Sequence, residues 1–302
     1  MRFGDNGVKS EMENKNRKTF GNAWMHRTLI KLLGRVDIRY VYRFMSVCVI
    51  PVVIVVSPVA RIAYQYFRKR RGQGRWQALL STYRNHCLFG QTVIDKFAMY
   101  AGRKFEIHSV GHEYFYAHVR DDQPVMLLNA HIGCSELVGY NLSQTKPCNV
   151  LVYGGEKKEL MNYRKNQFAQ MGIKMIPVGI DGVDILEIVD CLDRGEALSV
   201  FADRFMNPKK VIHSTIHGFK VKLSRGPFSL AVNRGIDVYI VFAMKKQDGS
   251  YDGRIIYLDY DKTLPHREQR QQLADLYTAE IDKILEDYPL QWFNYFDIWE
   301  DE

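Results

Sequence analysis

The stretch VMLLNAHIGCSELVGY, residues 125–140, sets a histidine and a carboxylate where an apolar run gives out. His131 and Glu136 stand in the spacing H-x4-E. An imidazole, titrating near pH 6.5, is the side chain best suited to take up and return a proton at neutral pH. A carboxylate one helical turn further on can accept the other ring N–H, fix the tautomer and stabilise the imidazolium. A hydroxyl held against such a histidine becomes a nucleophile toward an activated acyl group. The plainer alternative is that His131 caps a helix and Glu136 complements its dipole, and the spacing alone leaves both open.

Other chemistry-bearing groups are fewer. Asp203 and Arg204 close the run ALSVFAD. Cys134 follows His131 closely enough for a Cys–His nucleophile, although a small residue at a tight helix start needs no special chemistry. His213 and His217 have the spacing of a helical zinc pair. They lie in VIHSTIHGFKVKL, however, which is rich in β-branched residues and reads as extended, so no metal site is expected there or around His108, His112 and His118. The five cysteines are scattered without a CxxC pair, which suits free thiols in a reducing compartment.

These groups need a scaffold, and short apolar runs supply one. Strands are expected at 125–129, 149–154, 174–179, 197–203, 237–244 and 255–260. Helices are expected at Trp76–Gly102 and near 134–143, 159–171, 182–193, 226–234 and 267–287. This alternation predicts an α/β fold with a mixed, largely parallel sheet flanked by helices. In open α/β sheets the chemistry sits at the carboxyl ends of strands. That brings forward His131 and Glu136, then Tyr153 to Glu156, then Asp203 and Arg204. The aromatic cluster Trp292, Phe293, Tyr295 and Trp299 reads first as a packed cap, second as an interfacial belt or the wall of an acyl groove.

The 302 residues are enough for one α/β domain plus an appendage, and 46% hydrophobic with 25% charged residues is ordinary for a globular chain. The net charge of +8 is uneven: Lys15 to Arg75 carries fourteen Lys or Arg against one acid, Asp37, so the remainder is net acidic. Inside that basic stretch, Phe44–Ala60 runs for 17 residues without a charge. As a helix it covers roughly 25 Å, a little short of a ~30 Å hydrocarbon core, and Pro51 and Pro58 would kink it. The expected organisation is a disordered tail at 1–18, a basic membrane-anchoring arm at 19–75 with its apolar segment at 44–60, and a catalytic domain at 76–302. An anionic membrane surface suits the arm. Nucleic acid does not, because a basic arm built around an aliphatic run is poor at tracking phosphates. A single span and an in-plane anchor remain open.

Several stretches, in order, resemble the lysophospholipid acyltransferase superfamily, and among its branches the bacterial lipid A biosynthesis (late) acyltransferases. His131-Ile-Gly-Cys-Ser-Glu136 looks like the H-x4-D/E box. FGQTVIDKFAMYAG (89–102) looks like the helix before it. GEKKELMNYRKNQFAQMGIKMIPV (155–178) resembles the second block, and LDRGEALSVFADR (192–204) the third. HGFKVKLSRGPFSLAVNRGIDVYIVFA (217–243) resembles the stretch that follows, and YPLQWFNYFDIW (288–299) the P-x-Q-W signature. Relatives tend to carry H-x-G-N-W-E/D, whereas Cys134 and Ser135 fill the middle here, which bears on acceptor or chain-length preference.

The resemblance implies a glycerolipid acyltransferase-like fold and acyl transfer from a thioester, acyl carrier protein or acyl-CoA, to a hydroxyl or amine of a membrane lipid acceptor. It implies His131 as general base oriented by Glu136; it also implies Arg164, Asp203 and Arg204 as substrate contacts, with Gly218 and Gly226 shaping the pocket. It implies no metal and no cofactor. The expected location is the cytoplasmic face of a bacterial inner membrane, because acyl thioesters are made inside the cell. A membrane-tethered lipid-binding module without catalysis, and a lipid hydrolase using the same His–Glu pair on water, are the alternatives.

Overall fold

The computed structural model describes residues 35–120, 122–135, 137, 146–153, 158–170, 172–178 and 185–300. The expected tail at 1–18, the start of the arm, Glu136, Gly154 to Glu156 and most of the helix expected at 134–143 lie outside the described residues.

In chain order the strands are β1 (Ile107–Val110), β2 (Val125–Gly133), β3 (Cys148–Tyr153), β4 (Ile173–Val178), β5 (Ala197–Phe201), β6 (Val211–Ile216), β7 (Phe219–Ser224), β8 (Asp237–Lys245) and β9 (Tyr251–Tyr257). Seven of them form one sheet in the order β1-β9-β8-β2-β5-β3-β4, and β6 and β7 form a separate hairpin. From β8 through β2, β5 and β3 to β4 every pairing is parallel; β9 runs antiparallel to β8, and β1 parallel to β9. The expected mixed, largely parallel α/β sheet is what the chain forms.

The central strands read as unbroken apolar runs because both faces of the sheet are covered. From β2, Met126, Leu128, Ala130 and Ile132 enter one core, while Val125 and Leu127 enter the other. The first core is closed by α7 (Arg225–Arg234) and α8 (His266–Asp287), which bury Phe228, Ala231, Leu273, Tyr277 and Ile281. The second packs Phe115, Tyr239, Val241 and Tyr251. The remaining described helices are α1 (Ile38–Val56), α2 (Val59–Gln65), α3 (Arg75–Tyr100), α4 (His112–His118), α5 (Lys158–Gln170) and α6 (Ile185–Asp193). Strand β1 and helix α4 were not anticipated, since each is too short to show a period.

The arm follows its prolines. Pro51 has no N–H to give to the carbonyl four residues back, and the turn before it opens into a π-helical stretch, Met45–Val49, where the Ile50 N–H bonds Met45 O. Helix α1 ends at Ser57–Pro58, where α2 begins. Helix α1 is long and apolar enough to cross a membrane, and little of it is buried. Ile38, Met45 and Ile50 pack on Cys87, Ile94 and Ala98 of α3. Phe44, Val47, Val52, Val55 and Val56 stay exposed.

One buried polar group ties arm to body. Asp95 on α3 and Lys245 at the end of β8 form an ion pair, both side chains almost wholly buried. The Tyr42 hydroxyl of α1 and the Tyr251 hydroxyl donate to the same carboxylate, and Lys245 Nζ reaches Tyr42 Oη at 3.1 Å.

Candidate active site

Parallel register brings the histidine its acid. Strand β2 pairs β5 from Val125↔Ala197 to Asn129↔Phe201. Two residues further along each chain stand His131 and Asp203. The His131 ring Nδ1 lies 2.7 Å from Asp203 Oδ1, and the His131 backbone N–H donates to Asp203 Oδ2 at 2.8 Å. The Trp292 indole N–H makes a longer contact with the same oxygen, 3.4 Å. The Asp203 side chain is fully buried, while the His131 side chain keeps 28% of its surface exposed.

Burial pushes the Asp203 carboxyl up. The charge and ring hydrogen bond of His131, the nearby Arg204 guanidinium and the His131 backbone N–H outweigh it, holding the group below its ordinary 3.8. An ionised carboxylate only accepts hydrogen bonds, so Nδ1 carries a proton toward Asp203, and in the neutral ring Nε2 is the nitrogen with the lone pair. The Phe201 ring, centred 4.5 Å from the imidazole, packs against it. This arrangement can take a proton at Nε2 and return it, with the resulting imidazolium charge balanced from behind.

A bulge aims the ring. Strand β2 stays in step with β8 to Asn129↔Val241 and resumes at Gly133↔Ala243, so its chain is longer than its partner's across His131. Gly133 has φ +61°, and a Cβ on it would sit 2.0 Å from Ala243 O, so only glycine fits. The expected end of the strand at Asn129 is therefore four residues early, because the chain goes on hydrogen-bonding through the bulge. The segment 288–299 supplies the partners: Gly133 N–H donates to Gln291 O at 3.0 Å and Phe293 N–H to His131 O at 2.6 Å. Asn85 of α3 holds the segment from outside, donating to Leu290 O and Trp292 O. Its aromatic residues pack as a cap, with Trp292 and Phe293 buried.

The other expected site residues are placed as follows. Asp203, expected as a substrate contact, lies behind His131 with its side chain fully buried and paired to the ring; a buried carboxylate is stable only with its donors around it. Arg204, half-buried, donates from Nε to Asn294 Oδ1 at 2.8 Å and from Nη2 to Phe293 O at 3.1 Å, bracing the same segment. Arg164 sits on α5, half-buried. Gly218 (φ +77°) forms the β6–β7 turn with His217 (φ +52°), a two-residue turn that needs positive φ at both positions. Gly226 lies in the first turn of α7, where a Cβ would meet only ordinary contact.

His213 pairs with Glu300 at 2.9 Å and His217 with Asp282 at 2.9 Å. Among the described residues no group of three or more His, Cys, Asp or Glu could hold a metal ion. Cys134 is buried, its sulfur facing Thr92 O of α3 at 4.0 Å. Burial pushes the Cys148 thiol up to about 12 and that of Cys191 up to about 11, leaving both unreactive at neutral pH.

Residues 97–299 match the family described as bacterial lipid A biosynthesis acyltransferase. Among solved structures, the chain is similar to the 1-acyl-sn-glycerophosphate (LPA) acyltransferase PlsC from Thermotoga maritima, at 14% identity and a TM-score of 0.39, over 89% of this chain and 99% of that one. No curated protein matches the chain in sequence.

Proposed function

The chain belongs to the bacterial lipid A biosynthesis acyltransferase family, and from that premise we propose that it moves a fatty acyl chain from an acyl thioester to a hydroxyl or amine of a membrane-resident lipid or glycolipid, with His131 as general base. It is an acyltransferase, acting between an acyl donor and a lipid acceptor. The single observation that supports the finer reading is the His131–Asp203 pair, which occupies Nδ1 of a partly exposed imidazole and leaves Nε2 as the nitrogen to serve as base.

In the proposed step, Nε2 accepts the proton of the acceptor O–H or N–H as that atom bonds to the thioester carbonyl carbon. The tetrahedral intermediate collapses, the C–S bond breaks, and the departing thiolate takes the proton back from Nε2. No metal ion and no covalent acyl-enzyme enters the step. Asp203 holds the ring; Glu136 is assigned a supporting role near the imidazolium, and Arg164 and Arg204 are assigned to donor or acceptor phosphates. The donor is acyl carrier protein or coenzyme A thioester. The exposed valine face of α1 and the basic run Arg68–Arg71 support seating on an anionic membrane, assigned to the cytoplasmic face of a bacterial inner membrane. The domain limits proposed are an arm through residue 75 and a catalytic domain from residue 76.

The test is thioester turnover by wild type and His131→Ala in detergent, with folding checked by thermal unfolding. His131→Ala is expected to fold and to lose at least about 10³-fold in rate. Near-normal turnover would remove His131 from the mechanism.

A further inference from the structure

The proposed base sits where two ladders fall out of step. Between Asn129 and Gly133, β2 spans only the stretch from Val241 to Ala243 of β8, and the excess bulges at His131. Buried backbone groups that lose a ladder partner must find another. Here the partners come from residues 291–293, which pair antiparallel with the bulge: Gly133 N–H to Gln291 O, Phe293 N–H to His131 O, with Ile132 opposite Trp292. That pairing is a single bridge, too little to hold itself.

Asn85 and Arg204 hold the segment from two sides, and the Gln291 side chain ties it to β8. Lys245 N–H donates to Gln291 Oε1 at 2.9 Å, and Gln291 Nε2 donates to Lys245 O at 2.7 Å. Both halves of one buried carboxamide are thus spent on the backbone of one residue at the end of β8, as a neighbouring strand would spend its own peptide groups. Lys245 is itself fixed through its ammonium to Asp95.

We infer that Gln291 is a positioning residue for acyl transfer. Its carboxamide clamps residues 291–293 to β8 and so sets the bulge that aims His131 Nε2. The inference rests on the reading of His131 as the general base. The chemistry of the clamp is specific. An ionised glutamate could accept from Lys245 N–H but would set a second oxygen against Lys245 O. A protonated glutamate, with one hydroxyl donor and one carbonyl acceptor, restores both bonds. Methionine matches the size and makes neither.

The experiment compares wild type, Gln291→Glu, Gln291→Met and His131→Ala as full-length protein in detergent. Lauroyl-coenzyme A serves as donor and bacterial membrane lipid extract as acceptor; kcat and KM are measured from pH 5 to 9, and folded fraction by circular dichroism at each pH. Misplacing the base by about 1 Å is expected to lower kcat about 100-fold in Gln291→Met, with KM for the donor within about threefold of wild type. The ratio of Gln291→Glu to wild-type kcat should rise at least about tenfold as pH falls and the buried carboxyl takes up its proton, while the Gln291→Met ratio stays flat. The inference is overturned if both variants keep kcat within twofold while His131→Ala is inactive. It is equally overturned if the loss of kcat only tracks the loss of folded protein, or if the glutamate ratio is flat with pH. Wild-type turnover by His131→Ala would instead sink the base reading, and this inference with it.

Discussion

At the scale of single residues, the proposed chemistry rests on the His131–Asp203 pair. Nδ1 is occupied by Asp203, so the two acids should not be equivalent. Asp203→Asn is expected to lower kcat by roughly three orders of magnitude, since an amide at that position admits the wrong tautomer. Glu136→Gln is expected to cost less; steady-state kinetics on both variants check the order. The same pair makes a pH prediction. The folded Asp203 carboxyl is held below its ordinary value, so its contribution to stability is fully present above about pH 4 and lost as pH falls through the folded value. Asp203→Asn should therefore unfold with a weaker acid dependence below about pH 4 than wild type, and chemical denaturation at pH 3 and 7 measures the difference.

This pairing was only half legible. His131 is six residues past Val125, and Asp203 six past Ala197. Equal offsets are a signal, but it can be read only once β2 and β5 are known to be neighbours, and 72 residues separate the two side chains in the chain. In the sequence Asp203 stands out only by its place at a strand end, which does not reveal its bond to the histidine.

At the scale of elements, the buried Asp95–Lys245 pair joins α1, α3 and β8. Removing one partner strands a charge in the interior. Asp95→Leu is expected to lose about 3–5 kcal/mol of stability, and Asp95→Leu combined with Lys245→Met less than the sum of the two single changes. Urea unfolding of the four proteins gives the cycle. Parallel strands covered on both faces announced themselves as apolar runs, which is why β2, β3, β4, β5 and β8 were expected close to where they form. The segment PLQWFN has no period, and its work of holding Gly133, His131 and Arg204 by backbone and amide groups leaves no pattern in residue types.

At the scale of the whole molecule, a net acidic α/β body carries a basic arm whose apolar helix leaves Val52, Val55 and Val56 exposed. Replacing these three by serine is expected to release the protein from vesicles containing phosphatidylglycerol in a flotation assay, with the body still folded; full retention would contradict the membrane role of α1. Seventeen uncharged residues between arginines mark this segment in the sequence, and the helix it forms is long and apolar enough to cross a membrane. Acyl transfer to lipid with His131 as base is the proposal on which the rest depends. Its most direct measurement is the stoichiometry of thiol released from an acyl thioester against acylated lipid formed, read by mass spectrometry on the same reaction. One acylated lipid per thiol is expected for wild type, and neither product for His131→Ala. Thiol release with free fatty acid and no acylated lipid, or equal yields from the two proteins, would contradict it.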